Sequence, residues 1–177
     1  MSMERPWLDN YPSGVPAGID IGEYPSIVAV LERATADYRD RPAFTNFGKS
    51  LTYVDIDRLS RQFAAYRLGE LKLKKGDRVA VMMPNCLQYP IAVHGALRAG
   101  MTVVNTNPLY TARELEHQLA DSGATTIVIL ENFAHVLQEV LAHTPIKHII
   151  VTSVGEMLGF PKGAIVDFVV RHKRKQV

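Results

Sequence analysis

Short apolar runs rich in β-branched residues alternate with amphipathic helical patterns through the second half of the chain. Strands that alternate with helices are typical of βαβ units around a mostly parallel sheet. We therefore predict an α/β fold in which helices flank such a sheet. The predicted strands are 78–83, 101–106, 125–130 and 148–152, and the helical patterns between them are CLQYPIAVHGALRA, ARELEHQLADS and NFAHVLQEVLAH.

The region before these runs contains two more helical patterns and a hairpin. Ser26 is suited to cap the first helix, and residues 42–53 predict a hairpin with Gly48 in its turn. Thr52 and Asp55 form a capping pair at the start of the second helix.

These patterns divide the chain into three parts. Proline and glycine recur through residues 1–25, which predicts an extended N-terminal arm. Residues 26–152 hold the regular patterns and are predicted to form an α/β subdomain. Residues 153–177 are predicted to be a loosely structured basic tail, with a short helix from Ile165 onward.

Composition narrows the functional class. The chain has 177 residues, 47% apolar and 21% charged, as in ordinary globular proteins. It has a single cysteine, no signal-like start and no apolar run of membrane-spanning length, so we expect a cytoplasmic protein. The last seven residues hold four of the 20 basic side chains; the rest has 16 against 18 acidic ones, which argues against binding nucleic acid.

Several motifs that could carry chemistry favour structural interpretations. Residues 95–102 have the glycine spacing of a phosphate-binding loop, but Met101 replaces the lysine and the segment leads from helix to strand. Gly100 is better explained as a helix stop. Cys86 is interpreted as a buried structural thiol, and the six histidines lack the spacing of a metal site. We assign no catalytic or metal-binding residue.

The polar ends of the predicted strands are the remaining candidates. Ligands of open α/β sheets bind outside the carboxyl ends of the strands. After the second of these strands, Thr111 and Glu114 form a capping box that explains the residues from Tyr110 onward. Helix construction does not explain the preceding Asn105, Thr106 and Asn107.

Three stretches carry a family resemblance. They are LTYVDIDRLSRQFAAY, LKKGDRVAVMMPNCLQYPIAVHGALRAGMTVVNTNPLYTARELEHQLADSGATTIVI and KHIIVT. These stretches resemble the N-terminal portion of bacterial long-chain fatty acid–CoA ligases, of the adenylate-forming superfamily. The match is strong over residues 24–152.

The resemblance implies a two-step reaction of the full-length enzyme. A long-chain fatty acid and ATP form an acyl-adenylate with the help of magnesium, and CoA then displaces AMP. The chain lacks the family's Ser/Thr/Gly-rich phosphate loop, because no such run precedes Pro161-Lys162-Gly163. It is therefore expected to be an N-terminal fragment that is inactive without the remainder of the enzyme. A ligase for a medium-chain or aryl acid, or a truncated dimerisation or regulatory module, stays open.

The resemblance also suggests ligand and partner contacts. In related synthetases the loop after the second strand approaches CoA, which places Asn107, Pro108, Leu109 and Tyr110 near that ligand. Some relatives have glycines at the positions of Pro108 and Leu109. The tail suggests a second contact, because the apolar and basic residues of 165–175 could lie peripherally on the inner membrane. The favoured alternative is a helix that packs on the remainder of the enzyme. The arm leaves homodimer formation open.

Overall fold

The computed structural model describes residues 5–174 and 177, without the side chains of residues 67 and 68. The first half forms helix α1 (Ile27–Tyr38), hairpin strands β1 (Pro42–Asn46) and β2 (Lys49–Thr52), and helix α2 (Tyr53–Gly69). The predicted arm is not wholly extended, since Pro6–Asn10 form a 3-10 helix with proline at its start. Its first four residues lie outside the described part of the chain.

A parallel four-stranded sheet fills the second half and confirms the predicted fold class. Its strand order is β4-β3-β5-β6. The elements are β3 (Arg78–Met82), α3 (Gln88–Arg98), β4 (Thr102–Thr106), α4 (Ala112–Ser122), β5 (Thr126–Leu130), α5 (Ala134–Val140) and β6 (His148–Thr152). The last predicted helical pattern is broken up, because 3-10 turns precede and follow the seven residues of α5.

Alternation along the strands sends side chains to two different helical layers. Val79 and Val81 of β3 join a cluster with the buried alanines of α3. Ala80 and Met82 point to the opposite face, where the leucines of α4 and α5 cover them. Both faces of β3 and β5 are therefore buried, which accounts for their continuous apolar runs. A third cluster joins α1, α2 and β2.

The predicted local signals form as expected. Ser26 Oγ accepts the Ala29 amide at 3.1 Å. Full capping boxes start α2 and α4, each with a threonine N-cap and a carboxylate three residues later. Phe47 and Gly48 both have positive φ in the hairpin turn, as a type I′ turn requires. Gly123 ends α4 in the left-handed conformation.

The C-terminal tail contains the predicted helix, which is longer than the sequence indicated. Helix α6 spans Lys162–Phe168 and continues as a π-helical turn, Val169–Lys173. It begins three residues before the predicted Ile165. The reason is tertiary: Asp167 accepts hydrogen bonds from Ser153 Oγ and the Gly155 amide, both at 2.7 Å. Within the described residues, no helix has the length and apolar character needed to cross a membrane.

Candidate functional site

The sheet has a topological switch point between β3 and β5. The chain leaves β3 for α3 on one face of the sheet, and it leaves β5 for α5 on the opposite face. These connections diverge at the carboxyl ends of two neighbouring strands, and such divergence opens a crevice where ligands of α/β proteins bind.

A cleft of about 820 Å³ occupies this position. This volume is in the range of small-molecule sites. Its walls come from the hairpin, the loops after four strands, and α6 with its continuation. The lining residues are Asn46, Phe47, Pro84, Asn85, Cys86, Pro108, Leu109, Tyr110, Leu130, Asn132, Phe133, His135, Val136, Val154, Ile165, Val166, Val169, Val170 and Arg174.

The cleft is mainly apolar, with a few polar side chains among its walls. Asn46 Nδ2 donates to the Asn85 carbonyl at 3.3 Å and joins the hairpin to the loop after β3. Burial raises the pKa of the Cys86 thiol, and α3 begins two residues later, at Gln88. This supports a protonated structural thiol over a reactive thiolate. The arrangement suits binding of an apolar group more than acid–base chemistry.

Helix α6 closes one side of the cleft. Val166, Val169 and Val170 face the opening. The π-helical turn is tied down where Arg171 Nε and Nη2 donate to the Glu131 carboxylate at 3.1 and 2.8 Å. The basic residues of the tail therefore have different surroundings. Arg171 pairs with Glu131 and Arg174 lines the cleft, while Lys175 lies outside the described residues.

The structure separates the four predicted CoA-contacting residues. Pro108, Leu109 and Tyr110 line the cleft, and Leu109 is 81% exposed. Asn107 does not line it. Its side-chain oxygen accepts the Leu109 amide at 3.0 Å, and its carbonyl accepts the Tyr110 amide at 3.2 Å. Asn107 therefore builds the turn that presents the other three, an Asx-turn role that the sequence itself could have indicated.

Asn105 has a structural explanation as well. Its carboxamide oxygen accepts the Tyr89 hydroxyl at 2.9 Å. Its carbonyl accepts from Gln118 Nε2 at 3.1 Å. The polar strand end that helix construction left unexplained is thus held by two neighbouring helices.

Comparison with known proteins identifies the family. The family model described as AMP-binding enzyme matches residues 31–176. The chain belongs to this family. The resemblance predicted from the sequence motifs is confirmed.

Relatives of this AMP-binding chain are long-chain-fatty-acid–CoA ligases. The enzyme of Yersinia pestis is 54% identical over 99% of this chain and 31% of its own length. That of Bacillus subtilis is 36% identical over 98% of this chain and 30% of its own length. The chain therefore spans about a third of the length of these curated relatives.

Solved structures share the fold. A long-chain-fatty-acid–CoA ligase from Archaeoglobus fulgidus has a TM-score of 0.68 and 26% identity, covering 84% of this chain and 32% of that chain. The inhibitor-bound N-terminal domain of FACL13 from Mycobacterium tuberculosis has a TM-score of 0.66 and 26% identity, covering 71% of this chain and 33% of that chain.

Two segments of this AMP-binding chain that partly match phosphate-loop motifs, residues 95–102 and 161–163, have structural roles. A Cβ at Gly95 would lie 2.9 Å from the Ser60 carbonyl oxygen, so this glycine permits the close contact of α2 and α3. Gly100 has a φ of 72°. Lys162 donates to the Phe47 carbonyl and secures α6 to the hairpin. Among the described residues no group of three or more His, Cys, Asp or Glu side chains could hold a metal ion.

Proposed function

We propose that this chain forms the α/β portion of an AMP-forming long-chain fatty acid–CoA ligase. The observation that carries the proposal is the 54% identity to such a ligase over 99% of the chain. The whole enzyme would join a fatty acid to AMP with release of pyrophosphate, and the CoA thiol would then displace AMP. The chain alone is expected to be inactive, because its sequence lacks the Ser/Thr/Gly-rich phosphate loop.

The long-chain substrate class is supported over the alternatives. Relatives at 50–54% identity match 99% of the chain and are long-chain ligases. A 4-coumarate–CoA ligase is 42% identical over only 49% of the chain. The deciding assay measures AMP release by the complete gene product with palmitate, octanoate and coumarate. A stop codon directly after Val177, or a preference for coumarate, would overturn the proposal.

Within that enzyme, the loop of residues 107–110 is proposed to contact CoA. Its support is positional: three of its residues line a cleft at the carboxyl ends of the strands. Asn107→Ala and Leu109→Ala should raise the KM for CoA in the complete ligase and leave fatty acid-dependent pyrophosphate exchange unchanged. Asn107 tests the shape of the turn, and Leu109 tests direct contact. An unchanged KM for CoA in both variants contradicts this assignment.

Peripheral membrane contact by the tail stays a prediction, as do homodimer formation and a cytoplasmic location. Ile165 and Phe168 are 59% and 56% exposed on α6, and Lys173 and Arg174 follow them. Apolar side chains beside a basic cluster favour anionic lipid. Co-sedimentation with anionic liposomes, with and without residues 164–177, tests the contact; equal pelleting would reject it.

A further inference from the structure

Strand β4 lies at an edge of the sheet and carries the loop of residues 107–110 at its carboxyl end. Only β3 pairs with β4 among the described strands, so the end of β4 lacks support from a second neighbour. An edge strand has a hydrogen-bonded neighbour on one side only, so its end and the loop that follows are held by fewer hydrogen bonds than those of a central strand. Any device that fixes the end of β4 therefore also fixes the base of the loop.

Asn105 receives such support from two helices on opposite faces of the sheet. The Tyr89 hydroxyl on α3 donates to the Asn105 carboxamide at 2.9 Å. Gln118 Nε2 on α4 donates to the Asn105 carbonyl at 3.1 Å. One bond holds the side chain and the other holds the backbone, two residues before the loop begins.

The two donors lie on helices that are packed against the sheet. The half-buried Tyr89 ring packs against the cluster beneath α3. Gln118 precedes the fully buried Leu119 and is half-buried on α4. Each donor therefore links a packed helix to the strand end.

We propose that Tyr89 and Gln118 are positioning residues that act through Asn105 to hold the loop of residues 107–110 in its CoA-binding geometry. This inference rests on the proposed CoA contact. Neither side chain touches the ligand in this scheme. Their effect is to reduce the freedom that the loop must lose when CoA binds, which is preorganisation of a binding loop.

The kinetic test uses the complete ligase with Tyr89→Phe, Gln118→Met and the double variant. Phenylalanine keeps the ring and methionine keeps the length and helix propensity of glutamine. Each single variant should raise the KM for CoA about two- to tenfold, the range of one neutral hydrogen bond. Pyrophosphate exchange should stay at the wild-type rate. Tyr66→Phe, at a half-exposed tyrosine of α2, is the matched control and should change neither quantity.

A second test examines the loop without catalysis. Amide hydrogen exchange of the 177-residue chain should speed up at residues 105–110 in Tyr89→Phe and Gln118→Met, and stay unchanged in the strands β3 and β5. Unchanged exchange at 105–110 overturns the positioning role. Faster exchange with an unchanged KM for CoA also overturns it, because the held loop would then not serve CoA.

The two tests distinguish this inference from the function it rests on. A complete ligase in which Leu109→Ala raises the KM for CoA and Tyr89→Phe does not would keep the proposed CoA loop and refute the positioning pair. A gene product without CoA-dependent AMP release would remove the proposed function itself.

Discussion

Replacing Arg98 by methionine should destabilise the fold through the junction of α1, α2 and α3. The Arg98 side chain is only 6% exposed. Its Nε donates to Ser60 Oγ at 3.1 Å, and Nη1 donates to Glu32 at 3.0 Å. Nη2 donates to Asp57. A single guanidinium therefore joins α3 to both preceding helices, with Arg98 at the last position of α3.

The size of the loss follows from what the substitution leaves behind. Removing one partner of a fully buried ion pair costs about 3–5 kcal/mol, because the other charge stays desolvated. Here the Asp57 and Glu32 side chains are 19% and 49% exposed, so water partly solvates them after the substitution. We therefore expect Arg98→Met to lower the free energy of unfolding by about 2–3 kcal/mol.

Urea unfolding of the chain, followed by circular dichroism, measures this loss as a lower midpoint with an unchanged m-value. Arg33→Met is the matched control, because Arg33 pairs with Asp37 in an exposed i,i+4 pair. The control should cost less than about 0.5 kcal/mol. Equal midpoints for the two variants would refute the bridging role of Arg98, as would additivity of Arg98→Met with Asp57→Asn.

Two further predictions concern α6 and the helix caps. A Cβ at Gly163 would overlap the Gly155 carbonyl oxygen, so Gly163→Ala should cost about 1–3 kcal/mol in urea unfolding, while Gly69→Ala, in open space, should be neutral or slightly stabilising. Hydrogen bonds from the N-cap threonines lower the pKa of Asp55 and Glu114. The stability that these hydrogen bonds add is complete above the ordinary carboxyl pKa and declines as pH falls toward the lowered pKa values. The wild-type urea midpoint should therefore fall between about pH 5 and 3, and Asp55→Asn should make that fall smaller.

The elements of the fold were predictable because their causes are local or periodic. The four strands were found within one residue at each end, since runs rich in β-branched residues mark all of them. In β3 and β5 these runs are continuous because both faces are covered. The capping box of Thr111 and Glu114 lies within four residues of sequence, so its partners are visible without tertiary information. The helix predicted from Ile165 onward exists, but its earlier start was missed, because Asp167 and Arg171 find their partners 12 to 40 residues away.

The sequence could predict where the cleft lies, but not which residues line it. The rule for parallel sheets identifies the carboxyl ends of the strands. It does not indicate that Asn46 of the hairpin reaches Asn85, 39 residues later, or that the valines of α6 complete the wall. Those contacts depend on how separate helices and the hairpin dock, which periodicity does not encode.

Asn105 and Asn107 were both considered candidate ligand residues, and both have structural roles. The role of Asn107 is local, whereas that of Asn105 depends on distant residues. Both were singled out because helix construction did not explain them. Asn107 forms a turn whose donor is two residues away, so its role was available from the sequence. Asn105 is held by Tyr89 and Gln118, 16 and 13 residues distant, so its role required the fold. A polar strand end therefore indicates a ligand site only after local turns and long-range hydrogen bonds have been accounted for. In this chain that accounting leaves Pro108, Leu109 and Tyr110 as the residues presented to the cleft.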